Sequence, residues 1–236
     1  MLGNNIIALV ITFAVSLAWL RLVDFCAQRG WIESRLSRKI IHMGTGPLFI
    51  LCWLLFDDAP IARWLAALVP FAITIQFALV GLGVMKDEAA VQAMSRSGDR
   101  REILRGPLYY GIVFVILTIW FWLDTPTGMV ALLLLCGGDG LAEILGRRFG
   151  RAKIPWNNGK SWAGSLGMLL GSWVFAVAVM WVYVIAGVFP GTLAGYLPAI
   201  TLIALAGTLV ETLPLSDIDN LTVTAAAVVL GLLLFR

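Results

Sequence analysis

The chain has 236 residues, of which 60% are hydrophobic and only 13% are charged, with a formal net charge of +3. Its mean hydropathy is +0.92. Soluble domains average about 25% charged residues, so this composition excludes an ordinary soluble domain. It indicates an integral membrane protein, and we expect no nucleic-acid partner.

The apolar runs predict the helices. A membrane-spanning helix needs about 20 mostly apolar residues. In chain order, uncharged runs of that order cover residues 1–20, 64–85, 106–123 and 162–210. The last run is long enough for two spans, with a predicted turn at Phe189-Pro190-Gly191, because Pro and Gly interrupt helices. Shorter apolar segments add three helices, at residues 40–56, 127–145 and 221–235. The predicted fold is therefore an all-α bundle of about eight transmembrane helices, with seven as the alternative.

The amino-terminal run is predicted to be a permanent helix. It is too long for the apolar region of a signal peptide, and it lacks the basic leader and the small-residue cleavage site. An Arg- and Ser-rich transit sequence is also absent. These features favour a bacterial cytoplasmic membrane over an organelle.

The basic residues predict the topology. Of the 17 Lys and Arg residues, all but Arg63 and Arg236 lie in three segments, at residues 21–39, 86–105 and 147–160. These segments follow the first, third and fifth predicted helices, so they share one side, which the positive-inside rule makes cytoplasmic. Eight helices would place both termini outside and the candidate active site at the cytoplasmic face.

Two carboxylates stand at the end of the apolar run 129–136. Asp139 and Glu143 are four residues apart, hence on one helical face. An ionised group near the bilayer centre costs about 2.5–3.5 kcal/mol on insertion scales, so an intramembrane acid indicates a functional site. The glycines around Asp139 are expected to leave the backbone open to a ligand, and Arg147 and Arg148 would suit an anion. The pattern predicts metal and phosphate chemistry at a membrane surface.

Two basic clusters have both a functional and a structural interpretation. Arg38, Lys39 and His42 lie within one turn at the start of a predicted helix. His42, the only histidine, could be a general base, a phosphate contact or an interfacial helix residue. Arg101 and Arg105, one turn apart, precede a predicted Gly-Pro helix start. They suit a lipid-headgroup anchor and a substrate contact equally.

Residues 153–165 include Gly159-Lys160-Ser161 but form no Walker A motif, because Ile154 stands where its first glycine belongs. Another kind of phosphate-binding turn is predicted instead. Gly159 frees the backbone, Lys160 supplies charge, and Ser161 can cap the next helix, whose N-terminal amides favour anions. An ordinary capped loop is the alternative.

The segment 211–220 is acidic, with Glu211, Asp217 and Asp219 and no base. Asp217 and Asp219 offer hard oxygen ligands close together, and Mg²⁺ is typically held by one or two carboxylates plus substrate phosphates. A solvated loop with a helix N-cap at Asp219 or Asn220 would explain part of the pattern. Metal or substrate binding explains more of it.

Four segments, spread over most of the chain, match the motifs of one known family. The first is Arg-Lys-x-x-His at residues 38–42, and the second is Arg-Glu-x-x-Arg-Gly-Pro-Leu-Tyr-Tyr at 101–110. The third and most specific runs from Gly-Asp-Gly-Leu-Ala-Glu to Gly-Arg-Arg-Phe-Gly over residues 138–150, followed by Lys-Ser-Trp-Ala-Gly-Ser at 160–165. The fourth lies at residues 211–223.

These segments resemble the polyprenol kinases, which include phytol, farnesol and dolichol kinases, membrane enzymes that use CTP. Thr212 and Thr224 depart from the Ser and Pro of the carboxy-terminal motif, with little bearing on chemistry. Size and helix number are closest to the short phytol kinase branch.

The resemblance implies one polytopic membrane kinase domain over residues 1–236. It would transfer the γ-phosphoryl group of CTP, or of UTP, to a prenol such as phytol, farnesol or geranylgeraniol, giving a prenyl monophosphate and CDP. The partners would be a lipid alcohol in the bilayer and a nucleoside triphosphate from the cytoplasm, with Mg²⁺ as cofactor. Phosphoryl transfer depends mainly on positioning and charge stabilisation, which suits the charged residues above.

The residues divide into four predicted roles. The catalytic residues are Asp139, with His42 or Glu143 as the base. The metal ligands are Asp139, Asp217 and Asp219. The nucleotide-binding residues are Arg38, Lys39, Arg147, Arg148, Asn158, Lys160, Ser161 and Gly164. The substrate or headgroup contacts are Arg101, Arg105, Glu211 and Asn220.

Three alternative functions stay open. A CTP-dependent diacylglycerol kinase would differ mainly in its acceptor. A cytidylyltransferase that forms a CDP-lipid would release pyrophosphate instead of CDP. An ion-coupled transporter would place its acids at mid-bilayer within related halves, whereas the acids here collect at one face.

Overall fold

A computed structural model describes residues 3–95, 98–215 and 218–235. Asp217 lies outside the described residues, and only the backbone of Arg38 is described. Within the described ranges, six helices are long and apolar enough to cross a membrane, and two shorter apolar helices cover Lys39–Leu55 and Asp219–Leu234. The predicted all-α membrane fold is confirmed, and the six long and two short apolar helices are consistent with about eight spans.

The elements follow one another in a simple order. The helices are α1 (Asn5–Gln28), α2 (Ser34–Cys52), α3 (Ala62–Leu82), α4 (Glu88–Met94), α5 (Gly106–Phe121), α6 (Pro126–Leu133), α7 (Asp139–Phe149), α8 (Trp162–Ile185), α9 (Leu193–Glu211) and α10 (Asp219–Leu234). Short 3₁₀ turns cover Trp53–Leu55 and Arg100–Leu104, and a π-helical turn, Leu134–Gly138, joins α6 to α7. The strands β1 (Lys153–Ile154) and β2 (Asn157–Ser161) form an antiparallel hairpin, with Lys153 opposite Ser161 and Ile154 opposite Asn157.

Several helix ends have the local causes that the sequence predicts. Ser161 caps α8, where its hydroxyl oxygen accepts a hydrogen bond from the Gly164 amide. The predicted turn at residues 189–191 lies between α8 and α9. The alternative interpretation of Asp219 or Asn220 as the N-cap of α10 does not hold, because Asp219 is already the first helical residue and Ile218 is the N-cap, without a capping side chain.

The first of two compact units comprises Met1–Ile41 and Cys52–Trp120. Here Asn5 and Asp57 exchange two hydrogen bonds, one from Asn5 Nδ2 to Asp57 Oδ1 (2.6 Å) and one from the Asp57 amide to Asn5 Oδ1 (3.0 Å). Only 17% of the apolar window of α1 is buried. Most apolar side chains of α1 are therefore available to lipid.

The second unit comprises His42–Leu51 and Phe121–Arg236. Its most buried element is the interrupted helix, which we define as α6, the π turn and α7 together (Pro126–Phe149), with 72% of its apolar window buried against 39% for α8. Asp139 was expected at the mouth of a membrane helix. It lies inside the interrupted helix instead, because α7 continues to Phe149.

Glycines allow the interrupted helix and α8 to approach each other closely. A Cβ added to Gly171 would lie 2.1 Å from the Gly137 carbonyl oxygen, and one added to Gly167 would lie 2.6 Å from the Leu141 carbonyl oxygen. Small residues at a helix interface let the two backbones meet. The glycine next to Asp139 on its amino-terminal side, Gly138, likewise faces Ser172 and Met168 of α8. The glycine backbone next to Asp139 is thus packed against protein, not left open as the sequence pattern had indicated.

We expect Gly171→Ala to destabilise the protein by about 1–3 kcal/mol or more, the range for overpacking a tight core. Its new methyl group would collide with the Gly137 carbonyl oxygen, and backbone cannot move aside as a flexible side chain can. Thermal unfolding in detergent measures the effect.

Gly195→Ala is the matched control, since a Cβ at Gly195 of α9 meets nothing within 4 Å. It should be neutral or slightly stabilising, because alanine is the better helix former. Equal melting temperatures for the two variants would contradict the close crossing.

Candidate functional site

Asp139 follows directly on an irregular turn of helix. The five residues Leu134–Gly138 form the π turn, and all of them are buried. Single π turns inside α-helices are rare and occur frequently at functional sites. Asp139 is therefore the first residue of α7 after a local change in helical winding, which sets the direction of its side chain.

His42 faces Asp139 across the junction of α2 and α7. His42 Nε2 lies 3.6 Å from Asp139 Oδ2, and the two side chains are 22% and 37% exposed. The next residue on α2, Met43, fills the space over Gly140, where an added Cβ would lie 2.1 Å from Met43 Cγ. A glycine at position 140 thus lets α2 bring the histidine close to the carboxylate.

Glu143 and the two arginines occupy the last turns of α7. Arg147 Nη1 lies 3.5 Å from Glu143 Oε1, an i,i+4 pair with the arginine side chain half exposed. The Arg148 guanidinium lies over the Phe149 ring, 5.6 Å from its centroid. An exposed i,i+4 pair stabilises a helix by only about 0.3–0.5 kcal/mol. Arg147 can therefore exchange Glu143 for an anionic ligand at little cost.

The β-hairpin is anchored to the end of α9. Asn157 Nδ2 donates to the carbonyl oxygens of Thr212 (3.2 Å) and Leu213 (3.1 Å), and Trp156 Nε1 donates to Thr212 Oγ1 (3.3 Å). Asn157 Oδ1 also accepts from the Gly159 amide, which shapes the turn before Lys160. These bonds hold Lys160 beside the carboxylate of Glu211.

Lys160 is the cation at the centre of the site. Its ammonium forms an ion pair with Glu211 Oε1 and lies 3.5 Å from Asp219 Oδ2. Burial alone would lower the pKa of Lys160, but the charges of Glu211, Asp219 and Asp139 outweigh it, and the net effect raises the pKa above its ordinary value. Lys160 is therefore a permanent positive charge at physiological pH.

A small cavity adjoins this ion pair. Its volume is about 10 Å³, and its lining residues are Leu135, Asp139, Met168, Glu211, Asp219, Asn220 and Val223. That volume holds about one water molecule. The cavity brings three carboxylates and one amide to a single small space. The carboxylates come from α7, α9 and α10.

The donor set of the cavity suits a hard divalent cation, for which carboxylate and amide oxygens are the usual ligands. Glu211 is nine-tenths buried, and its Oε2 has no hydrogen-bond partner among the described residues. A buried carboxylate oxygen normally has one. No group of three or more His, Cys, Asp or Glu in the described part of the chain is arranged to hold a metal ion as it stands. The oxygens fit the cation by chemistry, and two of the carboxylates, Glu211 and Asp219, also lie against Lys160.

The structure distributes the predicted site residues unequally. Most lie in the second unit: His42, Asp139, Glu143, Arg147, Arg148, Asn158, Lys160, Ser161, Gly164, Glu211, Asp219 and Asn220. Lys39, Arg101 and Arg105 lie in the first unit, where Lys39 is buried and the two arginines are exposed. Asn158 is exposed, whereas Gly164 is buried at the helix crossing. A Cβ added to Gly164 would lie 3.3 Å from the Ala142 carbonyl oxygen. The roles assigned to these residues stay predictions.

Sequence reasoning missed three features of the site. It assigned Glu211 to the substrate, whereas the structure pairs it with Lys160. It gave no role to Asn157, the hairpin anchor, because a single asparagine in a loop carries no signal of a distant partner. It also passed over Ser165, a buried hydroxyl with no hydrogen-bond partner within the described ranges. The sequence feature that could have drawn attention to Ser165 is its position in the Lys-Ser-Trp-Ala-Gly-Ser segment, which matches the family motif.

Known proteins similar to this chain are plant kinases. The chain is 38% identical to a probable chloroplastic phytol kinase of Triticum aestivum, over 97% of this chain and 77% of the relative. It is 38% identical to a chloroplastic farnesol kinase of Arabidopsis thaliana, over 98% of this chain and 76% of the relative. Phytol kinase 1 of Arabidopsis thaliana is 34% identical, over 88% of this chain and 69% of the relative. No protein-family model matches the chain, and no solved structure matches it.

The fold and the site define a helical membrane protein with an acidic and basic centre. The chain belongs to the polyprenol kinase family, together with the phytol and farnesol kinases. It is an enzyme, a phosphotransferase with an alcohol acceptor.

The hairpin anchor can be tested by replacing Asn157. Asn157→Ala removes both donors to the Thr212 and Leu213 carbonyl oxygens, so we expect faster amide hydrogen exchange at Leu213 and Leu215. Asn158→Ala, an exposed neighbour on the same strand, should leave the exchange at these amides unchanged. Equal exchange in the two variants would rule out the anchor. Exchange is measured by mass spectrometry on the detergent-solubilised protein.

Proposed function

We propose that the enzyme transfers the γ-phosphoryl group of CTP to a prenol, giving a prenyl monophosphate and CDP. The observation that carries the proposal is the juxtaposition of Lys160 with the carboxylates of Glu211, Asp219 and Asp139 around one small cavity. The relatives named as phytol and farnesol kinases support phytol, farnesol or geranylgeraniol as acceptors. The choice of CTP over UTP or ATP rests on the resemblance of the motifs.

The charges of the site suit a nucleoside triphosphate with a divalent cation. Mg²⁺, when bound, would supply positive charge that offsets the charge of the phosphates and the charge developing on the transferred group. Asp139, Asp219 and Glu211 would hold it, and Asp217 stays a predicted ligand on sequence grounds. Lys160, Arg147 and Arg148 would neutralise the phosphates, while Ser161 and Asn158 would add hydrogen bonds.

The acceptor hydroxyl must lose a proton to a nearby base. His42 and Glu143 are the two candidates. His42 lies on α2 with its Nε2 3.6 Å from Asp139 Oδ2, and Glu143 lies one turn after Asp139 on α7. Proton transfer by a positioned side chain typically contributes about 10²–10⁴-fold to a rate. The prenol chain would stay among the apolar helices while its hydroxyl reaches the charged end of the site.

The membrane carries both the enzyme and its acceptor. We propose that the basic loops face the compartment that supplies the nucleotide, as the positive-inside rule predicts. A bacterial cytoplasmic membrane is our sequence-based proposal, and the chloroplastic relatives lend it no support. The oligomeric state is left open.

A donor and acceptor assay tests the proposed reaction. Purified enzyme receives γ-labelled CTP, UTP or ATP with phytol, farnesol, undecaprenol or diacylglycerol. We expect label in a prenyl monophosphate, release of CDP and preference for CTP. Release of pyrophosphate would identify a cytidylyltransferase instead, and transfer to diacylglycerol alone would identify a diacylglycerol kinase.

Within that assay, Asp139→Asn should lower the transfer rate by at least about 10³-fold while the protein still inserts and folds, because the neutral amide is a poor ligand for a hard cation. Asp58→Asn, in an exposed loop, is the control and should retain the normal rate. Near-normal turnover by Asp139→Asn would refute the metal role of Asp139.

A further inference from the structure

The Lys160 ammonium lies where a cation would satisfy the carboxylates of the site. It contacts Glu211 and lies 3.5 Å from Asp219, while the charge of Asp139 also acts on it. The cavity bounded by these three carboxylates has room for about one water-sized species. An ammonium is a compact point charge, so it can hold this place in the nucleotide-free protein.

The charges in this arrangement do not balance. The Lys160 ammonium lies against two carboxylates, Glu211 and Asp219, so this pair carries one more negative charge than the ammonium offsets when both are ionised. Glu211 Oε2 also lacks a hydrogen-bond partner among the described residues, although Glu211 is nine-tenths buried. Buried charges are normally paired or coordinate metals. A divalent cation would supply the missing charge and a partner for Glu211 Oε2.

The spacing of the carboxylates also indicates that a divalent cation and Lys160 would compete for them. The described residues contain no ready group of three metal ligands, and two of the three carboxylates, Glu211 and Asp219, lie against the Lys160 ammonium. A cation held by all three carboxylates would compete with the Lys160 ammonium for Glu211 and Asp219. The lysine side chain is 26% exposed, and its stem is flexible, so it can leave without moving the anchored hairpin.

We propose that Lys160 and the divalent cation exchange places when the nucleotide binds. In the free enzyme Lys160 neutralises Glu211 and Asp219. When a cation–triphosphate complex arrives, the cation takes Asp139, Glu211 and Asp219, and Lys160 turns to the phosphates. Glu211 is then a cation ligand and not a substrate contact. The exchange rests on the proposed use of a nucleotide, whereas the competition between lysine and cation does not.

The exchange predicts that cation and nucleotide bind cooperatively. A free cation must displace Lys160 with no anion present to receive the ammonium, so it binds weakly. The triphosphate supplies that anion, and each ligand then raises the affinity for the other by the same factor. The enzyme would thus take up the cation–nucleotide complex as a unit.

Mn²⁺ binding to the purified enzyme, followed by electron paramagnetic resonance, tests the exchange without a catalytic assay. We expect wild type to bind Mn²⁺ at least about tenfold more tightly with a non-hydrolysable CTP analogue than without it. Lys160→Met should bind Mn²⁺ at least about tenfold more tightly than wild type in the absence of nucleotide. Adding Glu211→Gln to that variant should remove the gain.

Lys153→Met is the matched control, because Lys153 is an exposed lysine on the other strand of the same hairpin. It should bind Mn²⁺ as wild type does. Unchanged Mn²⁺ affinity in folded Lys160→Met would overturn the proposal. If Lys160→Met does not fold, the wild-type measurement is the test. Equal Mn²⁺ affinity of wild type with and without the CTP analogue would overturn the proposal.

The two proposals fail in different ways. Failure of CTP-dependent transfer, with tight Mn²⁺ binding by Lys160→Met intact, would refute the proposed reaction and leave the lysine–cation competition standing. Normal transfer with no change in Mn²⁺ affinity would refute the exchange alone.

Discussion

The site depends on the close crossing of the interrupted helix and α8. Gly137 and Gly171 bring the two backbones together so closely that a single added carbon at Gly171 would lie 2.1 Å from a carbonyl oxygen. On the interrupted helix, Asp139 follows the crossing. On the chain that enters α8, Lys160 and Ser161 come before it. The crossing therefore limits how far apart the backbone at Asp139 and the segment before α8 can lie, and backbone contact is far less adjustable than side-chain packing.

Three elements then complete an electrostatic centre that neither helix could form alone. The hairpin presents Lys160, α9 ends at Glu211, and α10 begins at Asp219. Charges are expensive near a bilayer, and here one ammonium and three carboxylates are concentrated around one small cavity. Such a centre can accept a highly charged nucleotide because it already contains both signs, and the surrounding apolar helices can keep a prenol in the membrane.

The sequence predicts the helices better than it predicts the site. Long uncharged runs predict the spans. The sequence also predicts Asp139 and Lys160 as site residues, and the structure places Asp139 at the small cavity and Lys160 beside Glu211 and Asp219. The π turn at Leu134–Gly138 left no trace in the hydrophobic pattern, since a one-residue change in winding needs no special composition. The glycines around Asp139 suggested open backbone, because a sequence does not show which helix will press against them. The Lys160–Glu211 pair joins residues 51 positions apart, a contact that only tertiary structure creates.

The central claim is that the cavity bounded by Asp139, Glu211 and Asp219 binds the cation of a nucleotide complex. The most direct measurement is an experimental structure with Mn²⁺ and a non-hydrolysable CTP analogue, in which anomalous scattering locates the metal. The account predicts a Mn²⁺ peak in contact with these three carboxylates, with the Lys160 ammonium on the triphosphate. A Mn²⁺ peak elsewhere, with Lys160 still paired to Glu211, would contradict it.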